Sequence, residues 1–219
     1  MPVLYLTEEE VRSLLPMELA IEAVEACLRK MALEEAFTIP RSRCQTDHTM
    51  LHVLPAAAKT LGVIGYKAYV TSRAGARFHV TIYDGKTGEM LAMMQGDYLG
   101  QMRTGAASGV ATKHMARPEA QTVGLFGTGK QARTQLLGMA KVRKLTKAFV
   151  YSPNEEHRRA FATEMSEVAK LEVIPVASPL EAAQGHDIIC TATSAREPIL
   201  KGEWISPGSC REASPIWAW

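Results

Sequence analysis

The chain has 219 residues, with 25 Lys and Arg against 23 Asp and Glu, a formal net charge of +2 and 47% apolar residues. That length suits one large or two small domains with real cores, and the charge balance argues against nucleic acid or an anionic membrane as partner. No apolar run approaches a membrane span, the opening Met1-Pro-Val-Leu-Tyr-Leu lacks the basic stretch of a secretory leader, and four scattered cysteines without a Cys-x-x-Cys pair point to free thiols in a reducing cytoplasm.

Thr7-Glu-Glu-Glu10 reads as a capping box that starts a short helix, and Pro16 suits the first turn of a second one. Ile21, Val24, Cys27, Leu28 and Met31 continue that helix at three- and four-residue steps to about Ala36. Cys27 and Cys190, inside apolar runs, are expected in the core. Strands are predicted at Met50–Leu54, Val63–Thr71, Phe78–Asp84 and Met90–Gln95, the last two joined by a Gly85-Lys-Thr-Gly88 hairpin. The alternation of Phe78, Val80 and Ile82 predicts an antiparallel sheet with one buried face. A small-residue helix follows from about Gly100 to Ala116, whose glycines imply close approach of another backbone. Arg117-Pro118 closes it and marks the expected domain boundary, with an α+β domain over 1–117.

After that point strands (123–126, 148–151, 172–176, 187–190) alternate with helices (129–141, 154–169, 179–183), the pattern of a parallel sheet with right-handed crossovers. Four strands fall short of the six of a doubly wound dinucleotide domain. The tail 209–219 shows neither helix nor strand period, so the sequence reads as a Rossmann-type domain over 118–208, left incomplete by a truncation or a shifted reading frame, or followed by a frayed end.

The most informative stretch is Thr122–Arg133. An apolar strand runs into Gly127-x-Gly129-x-x-Ala132 and then into an amphipathic helix, the context a dinucleotide fingerprint requires. Gly127 allows the tight turn, Gly129 lets the backbone approach a pyrophosphate and Ala132 keeps the helix close to its strand, with Thr128 and Gln131 in the same loop and first turn. The helix N-terminus supplies N–H groups and a positive dipole end for the phosphates. After the second strand, Ser152-Pro153-Asn154 stands where an NAD-preferring site carries an acid, and Arg158 follows a turn later. The cofactor is therefore read as NAD(P) with a slight lean to NADP, unless Arg158 is simply solvated. Thr191 and Thr193, after the fourth strand, sit where ligands meet the carboxyl edge of such sheets, or serve local hydrogen bonds. His48, His52, His79 and His114 have no metal spacing.

Four segments, Ile39-Pro40-Arg41, Gly65-Tyr66-Lys67, Arg103-Thr-Gly-Ala-Ala-Ser108 and Gly127-Thr-Gly-Lys-Gln-Ala-Arg133, resemble the ornithine cyclodeaminase/mu-crystallin family. Asp187-Ile-Ile-Cys-Thr-Ala-Thr193, Pro198 and Trp204-Ile-Ser-Pro-Gly208 extend the likeness. The resemblance implies an N-terminal substrate and dimerisation domain, an NAD(P)-binding domain, homodimers and a small imino- or amino-acid substrate. It places Arg41 on the substrate carboxylate, which a guanidinium fork matches, although Arg43 is an equal candidate on residue chemistry alone. It places Lys67 on the substrate as well. A lysine in so apolar a strand is either at an edge facing solvent or buried, and burial would lower its pKa and suit it to donate a proton to an imine. Arg103, read as near the N-terminus of the small-residue helix, would form a second anion site for carboxylate or phosphate with Thr104 beside it, or be an ordinary first-turn arginine. Family members that cyclise ornithine use an acidic residue after the Trp-Ile-x-Pro-Gly element, and no residue of 209–219 matches that pattern. The reading is an NAD(P)H-dependent imino-acid reductase; the alternatives are an ornithine cyclodeaminase and a non-catalytic cofactor binder or truncated remnant.

Overall fold

The computed structural model describes residues 2–213. Contacts divide it into two compact units, Met1–Gly100 and Gln101–Trp219. The division falls ahead of Arg117-Pro118, inside the small-residue helix.

The first unit runs β1 (Leu4–Leu6), α1 (Glu8–Leu14), α2 (Met17–Ala32), β2 (Ala36–Thr38), β3 (Ser42–Gln45), β4 (Met50–Ala58), β5 (Val63–Ser72), β6 (Gly75–Asp84) and β7 (Met90–Gln95). Its seven-stranded sheet has the order β1-β7-β6-β5-β4-β2, with β3 also on β4, and every pair is antiparallel except β1 with β7. The capping box forms as expected, Thr7 Oγ1 accepting from the Glu10 N–H at 3.3 Å and Glu10 accepting from the Thr7 N–H at 2.8 Å. At the hairpin after β6, Asp84 accepts from the Lys86 and Thr87 N–H groups at 2.8 and 2.7 Å.

Pro16 is the residue before α2 and not part of its first turn, because its extended ψ of 160° lies outside the helix. That helix ends at Ala32 rather than near Ala36. Glu34 takes a left-handed φ of 57° and Ala36 turns into β2 against Ala58. Cys27 is exposed, not core, since Leu19, Leu28 and Met31 of the same helix also face outward. The sheet does not bury one face within this unit: Phe78, Val80 and Ile82 are only half-buried, and among the residues of β4–β7 only His52 and Thr81 are buried.

The small-residue helix, α3 (Asp97–Met115), starts earlier than its glycines suggest. Its first N–H groups, those of Asp97 and Tyr98, are taken by the Glu8 carboxylate at 2.6 and 3.0 Å. That is favourable for an anion at a helix N-terminus, and the partner lies far away in sequence.

The second unit continues with β8 (Thr122–Phe126), α4 (Lys130–Val142), β9 (Lys147–Tyr151), α5 (Glu155–Ala169), β10 (Glu172–Pro175), α6 (Pro179–Ala183), β11 (Ile188–Thr191) and β12 (Cys210–Ala213). All pairs are parallel, in the order β10-β9-β8-β11-β12. Among the described residues the parallel sheet therefore has five strands, not four. The fifth lies at Cys210–Ala213, in the tail that the sequence left without a strand. Arg211 and Glu212 hide its period, and pairing with β11 supplies what an apolar run does not. Residues 214–219 of that tail lie outside the described residues.

Both faces of this sheet are covered. Val123, Leu125, Leu136, Met139, Val150, Phe161, Met165 and Ile188 form one core, each at 0–1% exposure, and Phe126, Ile189 and Ala182 form another with Phe149, Tyr151 and Trp204 around them. Each such side chain contributes roughly 1.5–3 kcal/mol by leaving water. α3 and α4 cross at their glycines: a Cβ on Gly138 would run into the Gly105 carbonyl, and one on Gly105 into the Thr134 carbonyl. The Arg143 guanidinium caps the end of α3, donating to the Lys113 and Ala116 carbonyls at 2.8 Å each.

Candidate functional site

In the second unit, numbering its strands from β8, the sheet order is 3-2-1-4-5, and the order reverses between β8 and β11. A crevice beyond the carboxyl ends of strands at such a reversal is where open α/β sheets bind ligands. Gly127-Thr128-Gly129 leaves β8 at this point, and Thr191-Ala192-Thr193 leaves β11. Gly127 has a φ of 111°, and a Cβ there would collide with the Ala192 carbonyl, so the turn requires glycine. Gly129 precedes α4 with no side-chain cap, and a Cβ built on it would meet nothing within 4 Å. The start of α4 thus has no side-chain cap and an unobstructed backbone at Gly129, the arrangement a pyrophosphate needs. Gln131, in the first turn, has a buried Oε1 that no hydrogen bond satisfies among the described residues, and Ala132 is fully buried against the core. An NAD(P) cofactor fits these groups: Gly127, Thr128 and Gly129 would cradle its phosphates, and the Gln131 oxygen would accept from it.

Sequence reasoning passed over the residue that stiffens this loop. Arg133 donates to the Thr128 carbonyl at 2.7 Å while gripping Glu164 in a two-point pair at 2.8 and 2.6 Å. Its hydrogen bonds, less a smaller opposing effect of burial, hold the Glu164 carboxyl below its ordinary range. The Arg in Gly-Lys-Gln-Ala-Arg133 was its only signal.

At the end of β9, Ser152 is buried and its carbonyl accepts from Arg158 Nη1 at 3.0 Å. The Arg158 side chain is only 12% exposed, so it folds back toward the strand end and is not merely solvated. Asn154 caps α5, accepting from the His157 N–H at 2.9 Å. No acidic side chain occupies 151–154. Thr191 Oγ1 contacts the Glu212 carbonyl at 3.5 Å, and Thr193 Oγ1 accepts from the Ala195 N–H at 3.1 Å, so both hydroxyls already serve local bonds. Behind the crevice, Asp187 ties the unit together. It accepts from Arg117 at 2.7 Å, from the Gln121 N–H at 2.9 Å and from both the N–H and the hydroxyl of Thr122 at 3.0 and 2.9 Å. Burial acts to raise its carboxyl, but these donors together hold it below the usual range.

Glu212 went unrecognised in the sequence. Its carboxylate accepts from the Thr112 hydroxyl at 2.6 Å beside a small polar cluster in which Gln135 Oε1 accepts from Ser108 at 3.2 Å and from the Cys190 thiol at 3.1 Å. Gln135 Nε2 and Glu212 Oε2 are buried with no hydrogen-bond partner among the described residues. Burial pushes the Glu212 carboxyl up against the opposing pull of Thr112 and Ser108.

In the first unit, Lys67 lies on β5, flanked by β4 and β6 and paired with Leu54 and Val80. Lys67 is therefore not on an edge strand, but it is half-buried and so matches neither the solvent-facing edge nor the fully buried alternative. Its Nζ sits over the Tyr69 ring at 5.3 Å, and the Arg41 guanidinium sits over the same ring at 5.6 Å. The structure thus brings Arg41 and Lys67 together, while Arg43 is exposed on β3. Arg103 and Thr104 belong to the second unit. They lie two turns into α3 and not at its N-terminus, which Glu8 occupies, so the helix-dipole argument for Arg103 does not hold. Among the described residues no group of His, Cys, Asp and Glu could hold a metal ion, and no helix is long and apolar enough to cross a membrane.

A sequence model of the ornithine cyclodeaminase/mu-crystallin family matches residues 3–213. The chain is 32% identical over 208 residues to a delta(1)-pyrroline-2-carboxylate reductase of Bacillus cereus, covering 90% of this chain and 64% of that protein. Among solved structures, the delta(1)-pyrroline-2-carboxylate reductase of Thermococcus litoralis in complex with NADH and L-proline matches with a TM-score of 0.91 at 33% identity, over 97% of this chain and 69% of that one. An archaeal alanine dehydrogenase dimer with bound NAD matches at 0.89 and 29%, over 96% of this chain and 67% of that one. The chain spans about two thirds of the length of the curated relatives it matches.

Proposed function

This chain belongs to the ornithine cyclodeaminase/mu-crystallin family, and from that premise we propose that it serves an NAD(P)H-dependent reductase of a small imino acid resembling Δ1-pyrroline-2-carboxylate. The observation that carries the reading is the convergence of Arg41 and Lys67 on the Tyr69 ring. One of these groups is a planar fork that matches a carboxylate, and the other is an ammonium with three N–H donors.

Arg41 holds the substrate carboxylate through its planar fork. Lys67 keeps a proton at Nζ and delivers it to the imine nitrogen as the C=N bond is reduced. A bound nicotinamide cofactor supplies the hydride for the imine carbon. Gly127, Thr128, Gly129 and the first turn of α4 would hold its phosphates, Ser152 and Arg158 would serve its ribose, and Thr191 and Thr193 its nicotinamide. The absence of an acid at 151–154, with Arg158 nearby, favours NADPH over NADH, since nothing there repels a 2′-phosphate. Arg103 and Thr104, in the second unit, would meet the cofactor as side chains, without help from a helix terminus. The exposed apolar residues of the first unit, among them Leu19, Leu28 and Met31, suit a homodimer, and the four free thiols suit the cytoplasm.

Cofactor oxidation on adding Δ1-pyrroline-2-carboxylate is the test. Oxidation coupled to proline formation supports the reading. Failure with every imino acid offered, by a protein that binds cofactor, refutes it, and ammonia release from ornithine without net cofactor turnover would assign the lyase instead.

A further inference from the structure

His52 is one of only two buried residues on β4–β7 and is 7% exposed. Cross-strand register sets it opposite Tyr69, and Tyr69 opposite Phe78, so that β4, β5 and β6 each contribute one ring to the same sheet face. The rings stack in a row. His52 and Tyr69 centroids are 4.2 Å apart with planes 3° from parallel, and Tyr69 and Phe78 are 4.9 Å apart at 29°.

Two cations ride on this row. Besides its place over Tyr69, Lys67 Nζ lies over the Phe78 ring at 5.9 Å, and the Arg41 guanidinium lies over Tyr69. A ring face attracts a cation within about 6 Å through its quadrupole. Lys67 and Tyr69, two residues apart on β5, necessarily share a face. The two positive groups would repel each other in the open, and their common ring offsets part of that repulsion. A charged imidazole beside Tyr69 would add a third positive group, and the structure disfavours one. His52 Nε2 meets Thr71 Oγ1 at 3.2 Å, and that hydroxyl points on to the Met50 carbonyl at 3.5 Å. The hydroxyl therefore accepts from an Nε2–H, while Nδ1 is buried with no hydrogen-bond partner among the described residues, so a second proton there would stay unpaired, which favours the neutral ring. Burial first, then the charges of Arg41 and Arg43, hold the imidazole below the ordinary histidine range.

We propose that Tyr69 and His52 are positioning residues: the His52–Tyr69–Phe78 stack is the platform that holds Arg41 and Lys67 beside one ring, with His52 as its uncharged end. The consequence for substrate rests on the reductase reading, whereas the platform itself does not. Tyr69 acts on both substrate-facing cations at once. Its loss raises KM through Arg41 and lowers kcat through Lys67, while the second unit's cofactor affinity stays unchanged.

The test uses the intact protein with its lysines reductively methylated with 13C and the Lys67 signal assigned by Lys67→Arg. In the unsubstituted protein the Lys67 methyl resonance is expected upfield of the other lysines by ring current, and it should return to their position in Tyr69→Leu but not in Tyr69→Phe. With Δ1-pyrroline-2-carboxylate, Tyr69→Leu should raise KM about tenfold and lower kcat by a similar factor, the size of one partly desolvated cation–π contact. Tyr69→Phe should stay within about twofold, because the ring and not the hydroxyl carries the contact. An undisplaced Lys67 resonance in the unsubstituted protein overturns the platform without any variant having to fold. Equal impairment of Tyr69→Leu and Tyr69→Phe also overturns it. Absence of turnover together with a displaced resonance counts against the reductase reading alone and upholds the platform.

Discussion

The two units bury their sheets in opposite ways. In the second, helices cover both faces of β8–β12, and Leu125, Leu136, Phe161 and Ile188 are shut off from water. In the first, the buried apolar residues are Val11, Met17, Ala20, Ile21 and Ala36, almost all of them on helices, while Phe37, Ile39, Leu51 and Ile64 of the sheet region stay exposed. A parallel sheet needs cover on both faces before it can form, so the second unit brings its own. An antiparallel sheet tolerates an open face. That freedom lets the first unit keep polar and charged groups such as Lys67 on a central strand, where a closed core would expel them.

This contrast can be broken at its strongest point first. Phe161→Ala should cost about 3–5 kcal/mol in denaturant unfolding, whereas Leu28→Ala, on the exposed side of α2, should change the monomer's stability by less than about 0.5 kcal/mol. Equal costs would mean that the two units do not differ as described. Gly127→Ala comes next. A left-handed turn and a collision with the Ala192 carbonyl should together cost about 1–3 kcal/mol of local strain, seen as a tenfold or greater loss of NADPH affinity with imino-acid-side groups untouched.

Two half-buried carboxyls of the second unit titrate in opposite senses. Asp187 has a lowered pKa, so its contribution is present above the unfolded carboxylate value and fades as pH falls through the folded one. Asp187→Asn should therefore cost about 2 kcal/mol at neutral pH, the worth of charge-assisted hydrogen bonds, and progressively less in acid. Glu212 has a raised pKa, so the native state binds the extra proton, and stability falls as pH rises through the window above the ordinary glutamate value. Glu212→Gln should stabilise by about 1 kcal/mol at neutral pH, with the gain vanishing in acid. Thermal melts from pH 3 to 8 would expose either sign as mistaken.

The same contrast explains what was legible in the sequence. The second unit's first four strands are continuous apolar runs because both faces are buried, and Gly127-x-Gly129 announces its turn. Cys210-Arg-Glu-Ala213 was not legible, since a strand added beside β11 can take its place by pairing alone. In the first unit, β1, β2 and β3 are three or four residues long and mostly exposed, too short for a period to show. Arg41 and Lys67 could be named from family likeness, but their meeting over Tyr69 depends on register across three strands. The start of α3 was misplaced because its cap, Glu8, lies nearly ninety residues away. Helical spacing made Cys27 look buried; spacing reports which side chains share a face, not whether anything covers it.

The proposed reaction divides its labour, with substrate groups in the first unit and the cofactor cradle in the second. The most direct test measures NADPH affinity and Δ1-pyrroline-2-carboxylate turnover for the unsubstituted protein and for Lys67→Ala, side by side. Turnover should fall at least about a hundredfold, the usual worth of a positioned proton donor, with NADPH affinity within twofold. Turnover that survives Lys67→Ala, or cofactor affinity that falls with it, would contradict the division.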